Sequence, residues 1–331
     1  MLCGEYQEHT MQIEIVGVAG LGLLGRGIAA CCLAHGMKVI GFTRRQSTHE
    51  VARRFITEAI NDLVERAGYP PSLRNEWPAR FTAVTSLDRF SDCQFIIETV
   101  LEDMQIKQNV FDEIEAVVGP AVPIASNTSA MPISSLQHGR KHPQRFLGMH
   151  WSENAHVTRF MELIRGEQTT DQVFQIAADL AGHIGKEPAL VQKDLPAFIC
   201  NRIGYAMYRE ALHLLESGVA DAETIDRSFR NSIGLWAAMC GPFRWMDISS
   251  GPALYARTLE RVLPTLSNAT ELPETMQEMI DRDAQDNEGS PSFYSYGKGE
   301  QEKWNQLFRE HVWQVKAFTD EHFPLNRKDH R

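Results

Sequence analysis

The stretch that decides the fold is Ile13-Glu-Ile-Val-Gly-Val-Ala-Gly-Leu-Gly-Leu-Leu-Gly-Arg-Gly-Ile-Ala29. It begins with an apolar run that favours a β-strand, continues through glycines in the pattern G-x-G-x-x-G, and ends in an apolar segment typical of a helix. In this setting Gly20 permits a tight turn, Gly22 lets the backbone approach a pyrophosphate, and Gly25 allows the helix to pack closely on the strand. The helix that starts at Leu23 and Leu24 would direct its free N–H groups at the phosphates. The stretch therefore predicts a nucleotide-binding turn.

Outward from this turn, strands and helices alternate. Gly36 ends the first helix, and residues 37–42 read as a second strand, which completes a β-α-β unit. The alternation continues with helices predicted at residues 51–67 and 104–118 and strands at residues 95–100, 122–126, 146–149 and 159–164. This order predicts an α/β domain with a doubly wound, mainly parallel sheet over residues 1–192.

From residue 193 the apolar residues follow a helical period to the end of the chain. Helices are predicted at residues 198–217, 221–231, 252–266, 273–283 and 301–318. The last of them has an apolar stripe made of Trp304, Leu307, Phe308, Val312 and Val315. The acidic stretch at residues 281–288 is interpreted as a solvated loop, and Trp236, Phe243 and Trp245 as core residues. Residues 193–331 are thus predicted to form an all-helical second domain.

The composition excludes several classes of protein. The 331 residues carry 33 basic and 43 acidic side chains, a formal net charge of −10, which disfavours binding to nucleic acid. The six cysteines form no C-x-x-C pair, so we predict no metal site and interpret them as buried thiols. No apolar run approaches the length that spans a membrane, and acidic residues interrupt the first ten positions. We expect a cytoplasmic protein without a membrane partner.

The residues after the second strand bear on the choice of cofactor. An NAD-binding domain usually places an acidic residue there to bind the ribose hydroxyls, whereas this chain has Thr43, Arg44 and Arg45. A hydroxyl and a guanidinium can bind a 2′-phosphate through charge-assisted hydrogen bonds. The sequence thus favours NADP. The alternative is that both arginines are surface charges and that the cofactor is NAD.

Several further motifs occur in a fixed order: Ser126-Asn-Thr-Ser-Ala-Met-Pro-Ile133, Arg145-Phe-Leu-Gly-Met-His150, Phe160-Met-Glu162, Ala197-Phe-Ile-Cys-Asn-Arg202 and Gly241-Pro-Phe243. From residue 13 to about residue 247 the chain resembles the L-3-hydroxyacyl-CoA dehydrogenase family. The resemblance implies a Rossmann-type NAD(P)-binding domain followed by a helical domain, through which family members usually form a homodimer.

The resemblance also implies roles for particular residues. His150 corresponds to the family's catalytic histidine and Glu162 to its carboxylate partner. Ser129 and Asn201 correspond to the residues that hold the substrate oxygen. In the segment from Glu98 to Lys107, Glu102 and Lys107 correspond to positions near the nicotinamide end of the cofactor.

These residue types suit the oxidation of an alcohol. The reaction needs a base for the hydroxyl proton, and histidine ordinarily titrates near neutral pH. A carboxylate on the other ring nitrogen fixes the tautomer, and neutral donors stabilise the substrate oxygen. Taken singly, each residue also has an ordinary structural interpretation, such as a turn cap for Ser129 or an exposed ion pair for Glu102 and Lys107.

The chain departs from the family in ways that bear on the substrate. After the histidine the family typically has Phe-Phe-Asn-Pro, whereas this chain has Trp151-Ser-Glu-Asn154, and it has no lysine from residue 41 to residue 106 to bind a CoA tail. We predict an oxidoreductase that interconverts a 3-hydroxy acid, or its CoA thioester, and the 3-oxo form. The alternatives are a reductase of a carbonyl or imine that carries no CoA and a non-catalytic, crystallin-like protein.

Overall fold

The computed structural model describes residues 13–285 and 292–325. The chain divides into two compact units. The first comprises the residues up to Ile199 together with those from Val312 onward, and the second is Cys200–His311. Sequence reasoning placed the boundary at residue 192 and assigned all later residues to one domain.

The first unit is built on an eight-stranded sheet. In chain order the strands are β1 (Ile15–Ala19), β2 (Lys38–Phe42), β3 (Phe81–Val84), β4 (Phe95–Glu98), β5 (Ile124–Ser126), β6 (Phe146–His150), β7 (Phe160–Ile164) and β8 (Glu187–Val191). Their order in the sheet is β3-β2-β1-β4-β5-β6-β7-β8. The strands from β3 to β6 are parallel, β7 is antiparallel to β6, and β8 is parallel to β7.

Helices cover both faces of this sheet. They are α1 (Leu23–Ala34), α2 (Ser47–Arg66), α3 (Leu73–Arg80), α4 (Met104–Val117), α5 (Ile133–Gln137) and α6 (Asp171–His183). Alternate residues of each strand face opposite sides, so Val16 and Val18 join the core cluster of α1, α2, α3 and α6, whereas Ala19 joins that of α4 and α5. The doubly wound α/β fold predicted from the sequence is confirmed.

Some elements of the first unit were not predicted. Strand β3 is only four residues long, β8 contains Pro188 and is mostly exposed, and α3 contains Pro78. Short or exposed elements that contain proline lack the apolar periodicity on which the prediction relied. Helix α6, which has ordinary periodicity, was overlooked.

The second unit is helical, as predicted. It contains α7 (Cys200–Glu216), α8 (Ala222–Asn231), α9 (Ile233–Ser249), α10 (Pro252–Val262), α11 (Glu274–Gln285) and the first half of α12 (Glu300–His322). Helix α9 was not predicted, because Gly241, at φ 69°, and Pro242 break its pattern.

Four predictions about the helical region were wrong in part. Cys200 is exposed and Cys240 is half-buried, whereas the cysteines were predicted to be buried thiols. Phe243 is exposed rather than in a core, while Trp236 and Trp245 stack with ring centroids 5.6 Å apart. Residues 281–285 of the acidic stretch are helical, and residues 286–288 lie outside the described residues. In α12 the buried side chain is Trp313, whereas Trp304, Leu307 and Phe308 of the predicted stripe are exposed. A period identifies a helix but not which of its faces is covered.

Within the described residues, no helix combines the length and apolar character needed to cross a membrane.

Candidate active site

The predicted site residues of the first unit meet at one edge of the sheet. The strand register aligns Ala19 with Glu98, Glu98 with Ser126, and Ser126 with Gly148. These residues lie at or near the carboxyl ends of β1, β4, β5 and β6. The chain reverses its strand order between β1 and β4, and such an edge is where open α/β sheets bind their ligands.

The glycine turn has the geometry that a bound phosphate requires. Gly20 has φ +115°, and a Cβ atom there would lie 2.5 Å from the carbonyl oxygen of Thr99. A Cβ at Gly25 would lie 1.9 Å from the carbonyl oxygen of Gly20. At Gly22, in contrast, a Cβ would meet no atom within 4 Å, so the start of α1 faces open space. The turn fits the pyrophosphate of a dinucleotide, with the N–H groups of Leu23 and Leu24 available in the first turn of α1.

At the end of β2, Thr43 donates its backbone N–H to Val84 and continues the sheet edge. Arg44 forms an ion pair with Glu113 of α4, with 2.7 Å between the side-chain nitrogen and oxygen, and both side chains are exposed. Arg45 is exposed as well. No acidic side chain occupies the position that binds the ribose hydroxyls in NAD-binding domains.

His150 and Glu162 face each other across the antiparallel pair formed by β6 and β7. The Nδ1 atom of His150 lies 2.7 Å from Oε2 of Glu162, and both side chains are buried. The other carboxylate oxygen of Glu162 accepts the backbone N–H of Ile199 at 3.0 Å. Hydrogen bonds at both oxygens fix the orientation of the carboxylate and, through it, that of the imidazole.

Two aromatic rings border His150. The ring of Phe160 is edge-on to the imidazole at a centroid distance of 5.7 Å, and the ring of Phe198 is tilted against it at 5.8 Å. Ala197 and Phe198 both have left-handed backbone conformations, with φ 64° and 52°. Such conformations are unfavourable for residues with a Cβ, and they concentrate at functional sites.

A buried ion pair lies at the end of β4, at the same edge of the sheet. Nζ of Lys107 is 2.8 Å from one carboxylate oxygen of Glu98, and both residues are fully buried. Glu98 also accepts hydrogen bonds from the Ser126 hydroxyl at 2.6 Å and from the N–H of Val100 at 2.7 Å. The burial of these charges is thereby compensated by contacts at both oxygens.

Lys107 is also 3.2 Å from Oε2 of Glu102, which links the predicted cofactor residues to this network. The other oxygen of Glu102 accepts hydrogen bonds from the Thr128 hydroxyl and from the backbone N–H of Ser129 at 2.9 Å. Burial raises the pKa of Glu102, but the Thr128 hydrogen bond and the Lys107 charge lower it by more, and the net shift is downward. The ionised carboxylate therefore fixes the turn that carries Ser129.

Ser129 and Asn201 lie in different parts of the molecule. Ser129 follows β5, next to the strand that ends in His150, at the same edge of the sheet. Asn201 lies in the first turn of α7, in the second unit. Asn127 has a structural role, because its side chain accepts the N–H of Trp151 at 2.8 Å and donates to Thr99.

Sequence reasoning missed the parts of the site whose role depends on tertiary contacts. Glu98, Phe160 and Phe198 each lie within or at the start of a recognised motif, but their residue types and spacing predicted no role for them. An acidic residue at the end of an apolar strand, as at Glu98, is a usable signal for a buried ion pair. A ring that packs on another side chain, as Phe160 and Phe198 do on His150, leaves no comparable signal.

A doubly wound sheet with a phosphate-binding turn at its switch point and a histidine–carboxylate pair at the same edge defines a nicotinamide-dependent dehydrogenase class. Comparison with known proteins is specific about the family. The sequence profile of the 3-hydroxyacyl-CoA dehydrogenase NAD-binding domain matches residues 15–195, and that of the C-terminal domain matches residues 198–296. The chain belongs to the 3-hydroxyacyl-CoA dehydrogenase family, and it is an NAD(P)-dependent dehydrogenase acting on a CH–OH group.

The relatives have different substrates in their names. A 5-formyl-3-hydroxy-2-methylpyridine 4-carboxylate 5-dehydrogenase of Mesorhizobium japonicum is 34% identical over 77% of this chain and 82% of its own length. A 3-hydroxybutyryl-CoA dehydrogenase of Bradyrhizobium diazoefficiens is 32% identical over 66% of this chain and 74% of its own. A similar solved structure is the crystal structure of a 5-formyl-3-hydroxy-2-methylpyridine 4-carboxylic acid 5-dehydrogenase, which is described as an NAD+-dependent dismutase. Its TM-score is 0.83 and its sequence identity is 28%. The alignment covers 93% of this chain and 98% of that chain.

Proposed function

We propose that His150 and Glu162 are the catalytic base and its orienting partner in the interconversion of a hydroxyl and a carbonyl group. The observation that carries the proposal is the 2.7 Å contact between Nδ1 of His150 and Oε2 of Glu162 at the sheet edge that also carries the glycine turn. The carboxylate only accepts hydrogen bonds, so Nδ1 bears the proton and the lone pair lies on Nε2. In the oxidation direction, Nε2 accepts the proton of the substrate hydroxyl.

The partners of His150 then stabilise the charge that forms. When the imidazole takes up a proton, the Glu162 carboxylate lies next to the new positive charge and favours it. The hydrogen bond from Ile199 prevents the carboxylate from turning away. The rings of Phe160 and Phe198 exclude water from two sides of the imidazole, which strengthens its interaction with Glu162.

Ser129 is proposed to donate a hydrogen bond to the substrate oxygen. Its position is fixed by Glu102, and the turn follows the strand next to β6. For Asn201 we propose the same role on the motif Asn201-Arg202 alone. Neutral donors aimed at an oxygen that gains negative charge are an effective means of transition-state stabilisation.

The residues that would hold the cofactor are Gly20, Gly22, Leu23, Leu24 and Gly25 at the pyrophosphate, Thr43 and Arg44 at the ribose, and Glu102 and Lys107 toward the nicotinamide. When bound, the nicotinamide ring supplies the hydride acceptor or donor.

We propose NADP as the preferred form of the cofactor. Thr43 and Arg44 offer a hydroxyl and a guanidinium at the end of β2, where no carboxylate would repel a 2′-phosphate. The ion pair between Arg44 and Glu113 is exposed on both sides, and exposed pairs contribute only about 0–1 kcal/mol, so a phosphate can displace Glu113. The related dismutase, in contrast, is described as NAD+-dependent. Titration of this protein with NADH and with NADPH tests which cofactor it prefers.

For the substrate we propose a 3-hydroxy acid or its thioester, with the 3-oxo form as product. A second candidate is a carbonyl compound that carries no CoA. It is supported by the pyridine carboxylate in the name of the 34% identical relative, and a solved structure with the corresponding name covers 93% of this chain. The absence of lysine from residue 41 to residue 106 favours a substrate without CoA.

We also propose that the protein is a homodimer formed through its second unit. Among the described residues from 200 to 311, none is buried, and Ile203, Leu235, Phe243 and Leu254 are all exposed. A helical unit of this size without a core of its own needs another apolar surface to cover it. A second copy of the chain provides one that is self-complementary.

The experiment that tests the proposed function is a spectrophotometric assay at 340 nm with both cofactors. The panel contains 3-hydroxybutyrate, L-carnitine, acetoacetyl-CoA and an aromatic aldehyde with a ring carboxylate. We expect turnover on at least one compound and a loss of about 10-fold to 10²-fold in kcat for Glu162→Gln. The control is Glu58→Gln, which changes an exposed acid of α2 and should retain full activity. No turnover on the whole panel, or equal activity of both variants, contradicts the proposal.

A further inference from the structure

The C-terminal part of the described chain lies outside both family profiles. The matches end at residue 296, whereas α12 runs from Glu300 to His322. We name residues 312–323 the C-terminal strap. They group with the first unit, which also holds His150 and Glu162.

Trp313 anchors the strap to the first unit. It is the buried residue of α12 and belongs to the core cluster formed with α1, α2 and α6. The guanidinium of Arg66, the last residue of α2, lies 5.1 Å from the centroid of the indole ring. A buried indole with a cation over its face holds the helix in one position.

Arg159 connects the strap to the start of β7. Its Nε atom is 3.0 Å from Oδ1 of Asp320, and its other nitrogens donate to Asp320 and to the backbone carbonyl of Phe323. Only 12% of the Arg159 side chain is exposed, so its charge needs a partner. A further acid, Glu187, is 3.8 Å away and largely exposed.

Asp320 is held in its ionised form by two cations. Burial raises its pKa, but the hydrogen bonds from Lys316 and Arg159 lower it by more, so the net shift is downward. Lys316 is one helical turn before Asp320, and its Nζ lies 2.6 Å from Oδ2. The carboxylate is thus preorganised for Arg159 by a neighbour on its own helix.

The chain leads from Arg159 to the catalytic pair within three residues. Phe160 follows Arg159 directly and its ring is edge-on to His150, while Glu162 accepts the hydrogen bond of His150. Just before Arg159, the carbonyl of Thr158 accepts a hydrogen bond from Lys186, as does that of Ala155. The loop between β6 and β7 is therefore fixed by Lys186 along its length and by the strap at its end.

We propose that the C-terminal strap is a positioning element for the catalytic histidine, acting through the contact between Asp320 and Arg159. The inference rests on the proposed function of His150 and Glu162. Without Asp320 and Phe323, Arg159 would turn toward solvent and carry the start of β7 with it. Phe160 and Glu162 would then no longer hold the imidazole in one orientation, and a displacement of about 1 Å in such a group can cost up to about 10²-fold in rate.

The test compares Arg159→Ala and Asp320→Ala with Arg309→Ala. Arg309 forms an exposed ion pair with Glu302 on the same helix but lies in the second unit, so it is a matched control. We expect kcat to fall about 10-fold in the first two variants, with the NAD(P)H dissociation constant within about twofold of the wild type. Asp320→Glu should retain most of the activity. Amide hydrogen exchange at residues 151–160 should accelerate in Arg159→Ala and stay unchanged in Arg309→Ala.

Two results would contradict the proposed role of the strap. One is an unchanged kcat in both variants. The other is a loss of cofactor affinity as large as the loss of kcat, which would mean a general loosening of the first unit. If Arg159→Ala does not fold, the surface variant Asp320→Asn replaces it. If the wild type shows no dehydrogenase activity, the proposed function fails, but hydrogen exchange still tests the role of the strap. Unaltered exchange at residues 151–160 in Arg159→Ala would contradict that role.

Discussion

The two units of this chain differ in how they bury their apolar residues. The first unit packs two clusters of apolar side chains on the faces of its sheet, and residues such as Val16, Ile28 and Phe95 are fully buried. The second unit, between residues 200 and 311, contains no buried side chain in its described part. The glycine turn and the His150–Glu162 pair lie in the first unit.

This difference indicates different roles for the two units, the first in holding the site and the second in assembly. The first unit has the core that a rigid site requires, because catalytic groups must be held to within a fraction of an ångström. The second unit has helices whose apolar faces remain exposed in one chain, which is the pattern of an assembly surface. Apart from the proposed role of Asn201, changes in the second unit are thus predicted to affect assembly more than the chemistry.

The largest expected effect is on assembly. The double variant Leu235→Asp/Phe243→Glu places two charges on residues that are 73% and 80% exposed in one chain. If these residues lie in a dimer interface, each costs about 2 kcal/mol or more, and the dimer dissociation constant rises about 10³-fold or more. Sedimentation velocity at micromolar concentration measures the shift from dimer to monomer.

The control for assembly comes from the first unit. Val51→Asp/Leu190→Glu alters residues that are 43% and 48% exposed, and it should leave the sedimentation coefficient unchanged. If the wild type is a monomer, or if the double variant in the second unit is still a dimer, the second unit does not form the assembly surface and this distinction between the units is wrong.

The next effect is on the stability of the first unit. Lys107→Met removes the cation between Glu98 and Glu102 and leaves the charge of the fully buried Glu98 carboxylate without a positive partner. We expect a loss of about 3–5 kcal/mol in the free energy of unfolding. Urea denaturation measures it, with Arg89→Met as the control, because Arg89 pairs with Asp92 at the surface. A loss equal to that of the control would show that the site network does not stabilise the fold.

A smaller effect concerns pH. Burial, with the Lys186 charge, lowers the pKa of His156 to about 4. The folded pKa lies below the ordinary value of about 6.5, so the unfolded chain binds the proton first, and stability falls as the pH drops from about 6.5 toward 4. Between pH 8 and pH 5, His156→Leu should remove about 2 kcal/mol of this pH dependence.

Denaturation midpoints at pH 5 and pH 8 measure the effect of His156. His138→Leu, at an exposed position, should show the same pH dependence as the wild type. If the His156 variant lost stability between pH 8 and pH 5 as steeply as the wild type, the site would not contribute to it.

The smallest effect is on cofactor choice. Arg44→Ala should raise the dissociation constant of NADPH about 10-fold, the equivalent of one charge-assisted hydrogen bond, and leave that of NADH unchanged. Glu113→Ala should instead tighten NADPH binding, because Arg44 loses its ion-pair partner. Fluorescence titration with both nucleotides measures the change. Equal effects on NADH and NADPH would remove the argument for the 2′-phosphate.

The sequence predicted the parts of the fold that have strong local signals. The glycine turn and the strands beside it were recognisable because glycine positions and β-branched runs reflect local geometry. The sequence did not predict β3, because it is only four residues long. It also did not predict β8 and α9, because Pro188 and Pro242 interrupt their periodicity. The exposure of Phe243 could not be read at all, since periodicity does not reveal whether an apolar face is covered.

The site shows the same limit. Residues 150 and 162 were paired through the family motif, and the antiparallel register of β6 and β7 brings them together. Local sequence patterns do not predict that the N–H of Ile199 binds Glu162 or that Lys107 is buried against Glu98. They also do not predict that Arg159 contacts a helix more than 150 residues later. These contacts join distant segments, and only the folded chain reveals them.

The measurement closest to the central claim is a comparison of hydride transfer and cofactor affinity in His150→Gln. If the imidazole serves as the base, kcat/KM falls about 10²-fold or more, while the NAD(P)H dissociation constant stays within about twofold of the wild type. Retained turnover, or loss of cofactor binding in parallel with turnover, would contradict the role assigned to His150.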